Sequence, residues 1–207
     1  LVPREGFVKT IDTLDQLEAL YGAPSHKSVD KVWDRMTPHY RRWIEAARFV
    51  VLTTVGPDGT DGSPRGDDGP VVRIADEKTL LLPDWRGNNR LDSLRNIILD
   101  GRVSLMFMVP GSTNVVRVNG TAVLSYDPDV TQPFSKAGQV PKTVAVISTG
   151  EVYFQCAKAL LRSELWSGDD QSHGIPSAGD FIREFIDGFD AASYDAEYGD
   201  YAKPRLW

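Results

Sequence analysis

Apolar residues first recur in a helical rhythm. Leu14, Leu17 and Leu20 are three apart and so share one face, with Asp12 as a capping residue and Gly22-Ala23-Pro24 as the stop. A second helical segment is predicted from Ser28 to Met36, and a third from Pro38 to Ala47, where proline opens the first turn. The rhythm changes at Arg48. Phe49–Val55 is short, β-branched and stopped by Gly56-Pro57-Asp58-Gly59, the pattern of a buried strand and its turn. Val71–Ile74 and Thr79–Leu82 repeat it across the polar loop Ala75–Lys78. Val103–Val109 is apolar almost throughout, as expected of a strand covered on both faces. Val115–Leu124 is long and interrupted by Gly120, which predicts a bend or bulge. Val144–Ile147 and Glu151–Phe154 bring the strand-like segments to about seven.

One helix interrupts the strands. From Arg90 onward, Leu91, Leu94, Ile97 and Ile98 fall on one face. Many strands joined by tight turns predict a closed or nearly closed antiparallel β-barrel with flanking helices, mainly β in class, rather than an alternating parallel sheet. The expected organisation is a helical collar over residues 1–47, a barrel with one internal helix over 48–155, and a C-terminal helical segment over 156–207, all in one domain. The last helix is expected near Gly179–Phe189, followed by an acidic, aromatic tail.

Composition narrows the function. The 207 residues carry 23 Lys+Arg and 29 Asp+Glu, a net charge of −6. That balance argues against a nucleic-acid grip or an anionic-membrane partner, both of which need excess positive charge. One cysteine, no long apolar run and no signal peptide lead to the expectation of a cytoplasmic protein. The opening Leu1-Val2-Pro3-Arg4 resembles the front of a protease tag site, although Glu5-Gly6 does not continue it.

Candidate chemistry starts with Pro83-Asp84-Trp85-Arg86-Gly87-Asn88-Asn89-Arg90, which joins a strand to the internal helix. A helix start offers free N–H groups and partial positive charge to a phosphate. Gly87 lets backbone approach a ligand, Asn88 and Asn89 are candidate caps, and Arg90 adds full charge. The bland alternative is a solvated helix start. The second stretch is Ser63-Pro64-Arg65-Gly66, where proline marks an edge or bulge and Arg65 can supply a second cation. His26, His39 and His173 have no metal-ligand spacing, and Asp58, Asp61, Asp67 and Asp68 lack the EF-hand pattern. No Gly-x-Gly-x-x-Gly follows a strand, so a Rossmann dinucleotide site is not expected. No metal site is predicted.

In their order along the chain, Ser63-Pro64-Arg65-Gly66, Asn88-Asn89-Arg90, Arg102–Phe107 and Val116-Arg117-Val118-Asn119-Gly120 resemble the pyridoxamine 5′-phosphate oxidase-like proteins, FMN-binding split β-barrels. The resemblance spans about residues 45–125. It implies that Arg65, with Gly66, holds the FMN phosphate together with Asn88, Asn89 and Arg90, and that Leu82 and Pro83 line the flavin. The family's basic pair is here Asn89 and Arg90, so one charge is lost, and Val115 stands where true oxidases place a glutamine. Arg117, Lys158 or Arg162 is a candidate for the positive group near the flavin's pyrimidine edge.

Phe154–Trp166 resembles a segment of one subgroup of these flavin-binding relatives. Lys158 and Arg162 are four apart and share a helix face, and Trp166 is a candidate cover for an aromatic ring; the alternative is a solvated amphipathic helix. Cys156 reads more readily as a small buried hydrophobe than as a nucleophile. The family further implies a homodimer with flavin in the interface. No Arg-x-His occurs anywhere in the chain, which argues against pyridoxamine phosphate oxidase itself. The resulting expectation is an FMN-dependent oxidoreductase acting on a small-molecule substrate or reductant, with catalytic residues unassigned. The alternative is a non-catalytic module that binds or stores FMN or, less readily, haem.

Overall fold

Residues 8–207 are described by a computed structural model, so the tag-like Leu1–Arg4 lies outside the described residues. The chain divides into two compact units, one ending at Val32 and the other running Trp33–Trp207. The first holds α1 (Leu14–Tyr21) and α2 (His26–Val29). The α1 cap is Thr13, not Asp12: its hydroxyl accepts the Gln16 N–H at 3.2 Å, while the Asp12 N–H donates to the Gln16 side chain at 2.9 Å. One turn of α2 replaces the helix expected over Ser28–Met36, because Trp33 leaves the helical path and exchanges backbone hydrogen bonds with Val152.

In the second unit α3 (Pro38–Ala46) buries Tyr40 and Ile44, four apart on one face. Seven strands follow: β1 (Phe49–Gly56), β2 (Gly59–Gly66), β3 (Arg73–Ile74), β4 (Thr79–Pro83), β5 (Arg102–Met108), β6 (Asn114–Ser125) and β7 (Val144–Cys156). They form one antiparallel sheet in the order β2-β1-β5-β6-β7-β4-β3. The sheet is not closed; β2 and β3 are its free edges, and the fold is mainly β with flanking helices, a split barrel. The core lies on its inner face, where Val50, Leu52, Leu105, Phe107, Val116, Val118 and Ile147 are buried.

Three details depart from the expected strands. Gly59–Gly66 is an edge strand, as the proline at 64 predicts, but it runs for eight residues rather than the short stretch Ser63–Gly66, because all eight pair with β1. Residues 144–147 and 151–154 are parts of one strand, β7, whose register against β6 shifts at Asn119/Gly120. That shift is the bulge expected at Gly120. Its missing side chain is required: a Cβ there would sit 2.0 Å from the Ser148 carbonyl oxygen. Finally, β5 is covered on one face only, since Val103, Leu105 and Phe107 are buried while Met106 is 38% exposed.

The internal helix, α4 (Asp92–Leu99), packs against the end of β1 and the start of β2. Asn96 donates to the buried Thr54 hydroxyl at 3.1 Å, and its amide fills the space that a side chain at Gly56 would take. Ser93 donates to the Asp61 carboxylate on β2 at 2.5 Å. These contacts fix where the loop ahead of α4 must lie. After β6 come α5 (Pro128–Thr131) and a single 3₁₀ turn, and after β7 come α6 (Lys158–Arg162), α7 (Ala178–Arg183) and α8 (Ala191–Ala202). The α8 segment is the stretch read as an acidic, aromatic tail after the last helix; the Asp190 carboxylate caps it through the Ser193 N–H at 3.0 Å. Among the described residues no helix is long and apolar enough to cross a membrane.

Candidate functional site

An open sheet leaves a seam. Between β2 and the end of β4 the seam widens into a cleft of about 1280 Å³, bounded on the far side by α8 and the residues after it. Antiparallel pairing brings Arg65, near the end of β2, to this wall, and Leu82 and Pro83, at the end of β4, form a buried apolar floor.

Arg65 is the centre of the polar side. Its Nη1 donates to Asp84 at 2.6 Å, and both side chains are only 21% exposed. Its Nε is buried and has no hydrogen-bond partner. A buried guanidinium N–H without an acceptor costs free energy, so an acceptor supplied by a ligand would be favoured here. Asp84 holds the fork by one nitrogen and leaves the others available.

The loop before α4 brings further groups. Gly66, Asn88, Asn89 and Arg90 line the same cleft as Arg65. The helix is not capped by asparagine, however. Asn88 accepts the Arg90 N–H at 3.0 Å and so closes a turn ahead of the helix, while the α4 N-cap is Leu91 with no side-chain cap bond. Asn89 (φ 59°) and Leu91 (φ 64°) are both left-handed. Asparagine tolerates that conformation, whereas for leucine it is strained, and strain of this kind concentrates at functional loops. Arg90 is 79% exposed and bound to Asp92 at 2.5 Å, so its charge is largely solvated and partly neutralised.

The remaining predicted residues do not line this cleft. Arg117 lies on the outer face of β6, its guanidinium 5.3 Å from the centre of the Tyr153 ring and its Nε buried without a partner. Lys158 and Arg162 are exposed on α6. Trp166 donates its indole N–H to the Ser112 carbonyl at 2.9 Å, so it packs on the β5–β6 turn. Cys156, expected to be buried, is exposed because it ends β7 beyond the core.

The sequence did not single out the clasp beside Arg65. The Trp85 indole N–H donates to Asp67 at 3.1 Å, Lys136 binds both Asp67 and Asp68, and Lys136 also lies 4.1 Å from the centre of the Trp207 ring. The hydrogen bond from Lys136, helped by Asp67, holds the Asp68 carboxyl below its ordinary value. Burial pulls the Lys136 ammonium down, but the two carboxylates outweigh it and hold it above its ordinary value. Among the described residues no group of three His, Cys, Asp or Glu side chains is arranged to hold a metal.

The fold is thus an open antiparallel split barrel with an apolar-floored cleft, lined by Arg65, in its seam. Residues 36–156 match the model of the pyridoxamine 5′-phosphate oxidase family, more than half of the chain, and the protein belongs to that family, which generally binds flavin. Similar solved structures include HupZ of Group A Streptococcus (18% identity, 59% of this chain and 95% of that one, TM-score 0.49). Another is a Lactobacillus delbrueckii protein named for pyridoxamine 5′-phosphate oxidase (21% identity, 58% and 95%, TM-score 0.47). A third is an F420 reductase (17% identity, 58% and 98%, TM-score 0.43). No curated protein matches the chain.

Proposed function

We propose that the protein is an FMN-dependent oxidoreductase whose cofactor lies in the seam cleft. The observation that carries this is Arg65, a largely buried side chain whose buried Nε is unengaged, in a cleft floored by Leu82 and Pro83. The donor set fits a phosphorylated flat ring. Arg65 would hold the phosphate, steadied by Asp84, with Asn88, Asn89 and the backbone at Gly66 and Gly87 as further hydrogen-bonding partners and Arg90 as a weaker, screened contributor. Leu82 and Pro83 would lie under the ring and exclude water from one face. Bound FMN would supply reversible hydride or electron transfer; the chain's part is binding, orientation and a local field.

A spectrum of freshly purified protein tests this. Two flavin bands that bleach on adding NADH, NADPH or another reductant are the expected result. Protein that neither carries FMN nor takes it up on incubation would overturn the reading, and bound flavin that no reductant bleaches would leave a binding role alone. No turnover of pyridoxamine 5′-phosphate is expected, since no Arg-x-His is present to meet it. The single cysteine fits a reducing cytoplasm.

The working unit in this proposal is a homodimer. Across the outer face of the sheet, Val51, Met106, Arg117 and Tyr153 stand in register on β1, β5, β6 and β7. A half-exposed methionine on a central strand, beside a buried and unpartnered arginine nitrogen, suits a face that a second copy covers. Arg117 would then serve the second copy's flavin. Met106→Lys is expected to weaken self-association by about tenfold, as one unpaired charge in an apolar contact does, read by mass measurement over a dilution series. Monomeric wild-type protein at micromolar concentration would remove the dimer from the proposal.

A further inference from the structure

We propose that the far wall of the cleft is a second subsite, shaped for a flat aromatic carboxylate that would lie beside the flavin. This rests on the flavin reading above and extends it to the class of substrate.

Size is the first argument. Clefts that take one drug-sized ligand run about 300–1,000 Å³. At about 1280 Å³ this one has room left over.

The second argument is the wall itself. Tyr194, Tyr198 and Tyr201 recur at helical spacing along α8 and all border the cleft. The Tyr194 and Tyr198 rings lie 5.8 Å apart at 39°. Tyr198 and Tyr201 remain 52% and 59% exposed, with the Arg205 guanidinium already over the Tyr201 ring at 4.0 Å from its centre, so Tyr198 offers the freer face. Trp207 meets Trp85 edge-on at 5.2 Å and closes the corner. Aromatic surface kept half in water along a cleft gains from covering by another ring. The residues of this wall from 194 onward lie beyond the matched stretch 36–156, whereas Trp85, Arg86 and Lys142 lie within it.

The wall is also preformed. Asp195 on α8 accepts the Gly179 N–H of α7 at 2.9 Å, and Trp207 is pinned by Lys136, itself tied to Asp67 and Asp68. A ligand would not have to order it, which favours affinity.

Charge sets the rest of the ligand. Arg65 and Arg90 already have carboxylate partners, but Arg86 and Lys142, both exposed at the cleft, make no ion pair or side-chain hydrogen bond among the described residues. The Asp84 N–H donates to the Thr143 carbonyl at 3.0 Å, which sets Lys142 beside the Trp85–Arg86 turn. A guanidinium fork with a neighbouring ammonium matches the two oxygens of a planar carboxylate.

The test uses 2-naphthoate titrated into the flavin-loaded protein, followed by calorimetry, with 2-naphthol and cyclohexanecarboxylate as probes lacking the charge or the aromatic face. Naphthoate is expected to bind roughly tenfold more tightly than either. The Tyr198→Ala/Tyr201→Ala double variant should lose about that factor, and the corresponding Phe/Phe variant should keep it. Lys142→Ala should weaken naphthoate and leave naphthol unchanged. Equal affinity for the three probes, or an Ala/Ala variant that binds like wild type, would overturn the subsite. Protein that holds FMN but not naphthoate defeats this inference alone. Protein that holds no FMN defeats the flavin reading, and the subsite with it.

Discussion

Arg65→Ala should weaken FMN binding by about 1.5–3 kcal/mol, roughly a 10- to 150-fold rise in dissociation constant, the scale of a charged hydrogen bond. Arg90→Ala should cost under about 1 kcal/mol, because Arg90 is exposed and shares its charge with Asp92. Sequence alone treats the two arginines as equal; burial separates them. Removing Arg65 also strands the largely buried Asp84 carboxylate, so some loss of stability will accompany the loss of binding. Arg65→Ala/Asp84→Asn removes that complication. If the double variant melts like wild type yet still binds FMN weakly, the arginine acts on the ligand and not merely on the fold. Equilibrium titration of the apoprotein measures both constants. Wild-type affinity in the double variant would refute the phosphate assignment.

The second large effect is on stability. Gly120→Ala should destabilise the protein by about 2–3 kcal/mol, the range for forcing extra volume into a packed site. For a chain of this length that lowers the melting temperature by about 5–10 °C. The obstacle is main chain and not a movable side chain: the added carbon would meet the Ser148 carbonyl oxygen at 2.0 Å and the Gly150 nitrogen at 3.2 Å. Relief would have to come from the bulge itself, where β6 and β7 change register. Gly62→Ala is the control, since nothing lies within 4 Å of its added carbon. It should be neutral or slightly stabilising, given the entropy that glycine loses on folding. Comparable melting points for the two variants would show that the bulge is not held as tightly as its geometry demands.

Most of the strands were legible because their apolar runs are bounded by glycine, proline and polar turns. What was missed has common causes. The run Gly-Thr-Asp-Gly-Ser-Pro-Arg-Gly has almost no intrinsic strand character; it is extended because β1 offers it eight consecutive partners, so tertiary pairing overrides propensity. Thr149-Gly150 looks like a stop between two strands, but the bulge carries the ladder through it. Helix α8 has no apolar stripe, only tyrosines spaced among acids, and a pattern search for a buried face passes over it.

At the cleft, Arg65 and Arg90 stood out by charge and by likeness to a family. Asp84 did not, because its partner is nineteen residues away and the pair forms only when β2 and β4 face each other across the seam. Trp207 and Lys136 are farther still from Trp85, and no local spacing could have joined them.

Pro64 has a consequence for how the molecule behaves in a crowd. It sits on β2, an outermost strand that presents unsatisfied main-chain groups to the surroundings. A proline carries no amide hydrogen, so a stray chain trying to extend the ladder there lacks one donor and gains no continuous zipper. The seam can therefore stay open to small molecules without inviting strand-by-strand aggregation.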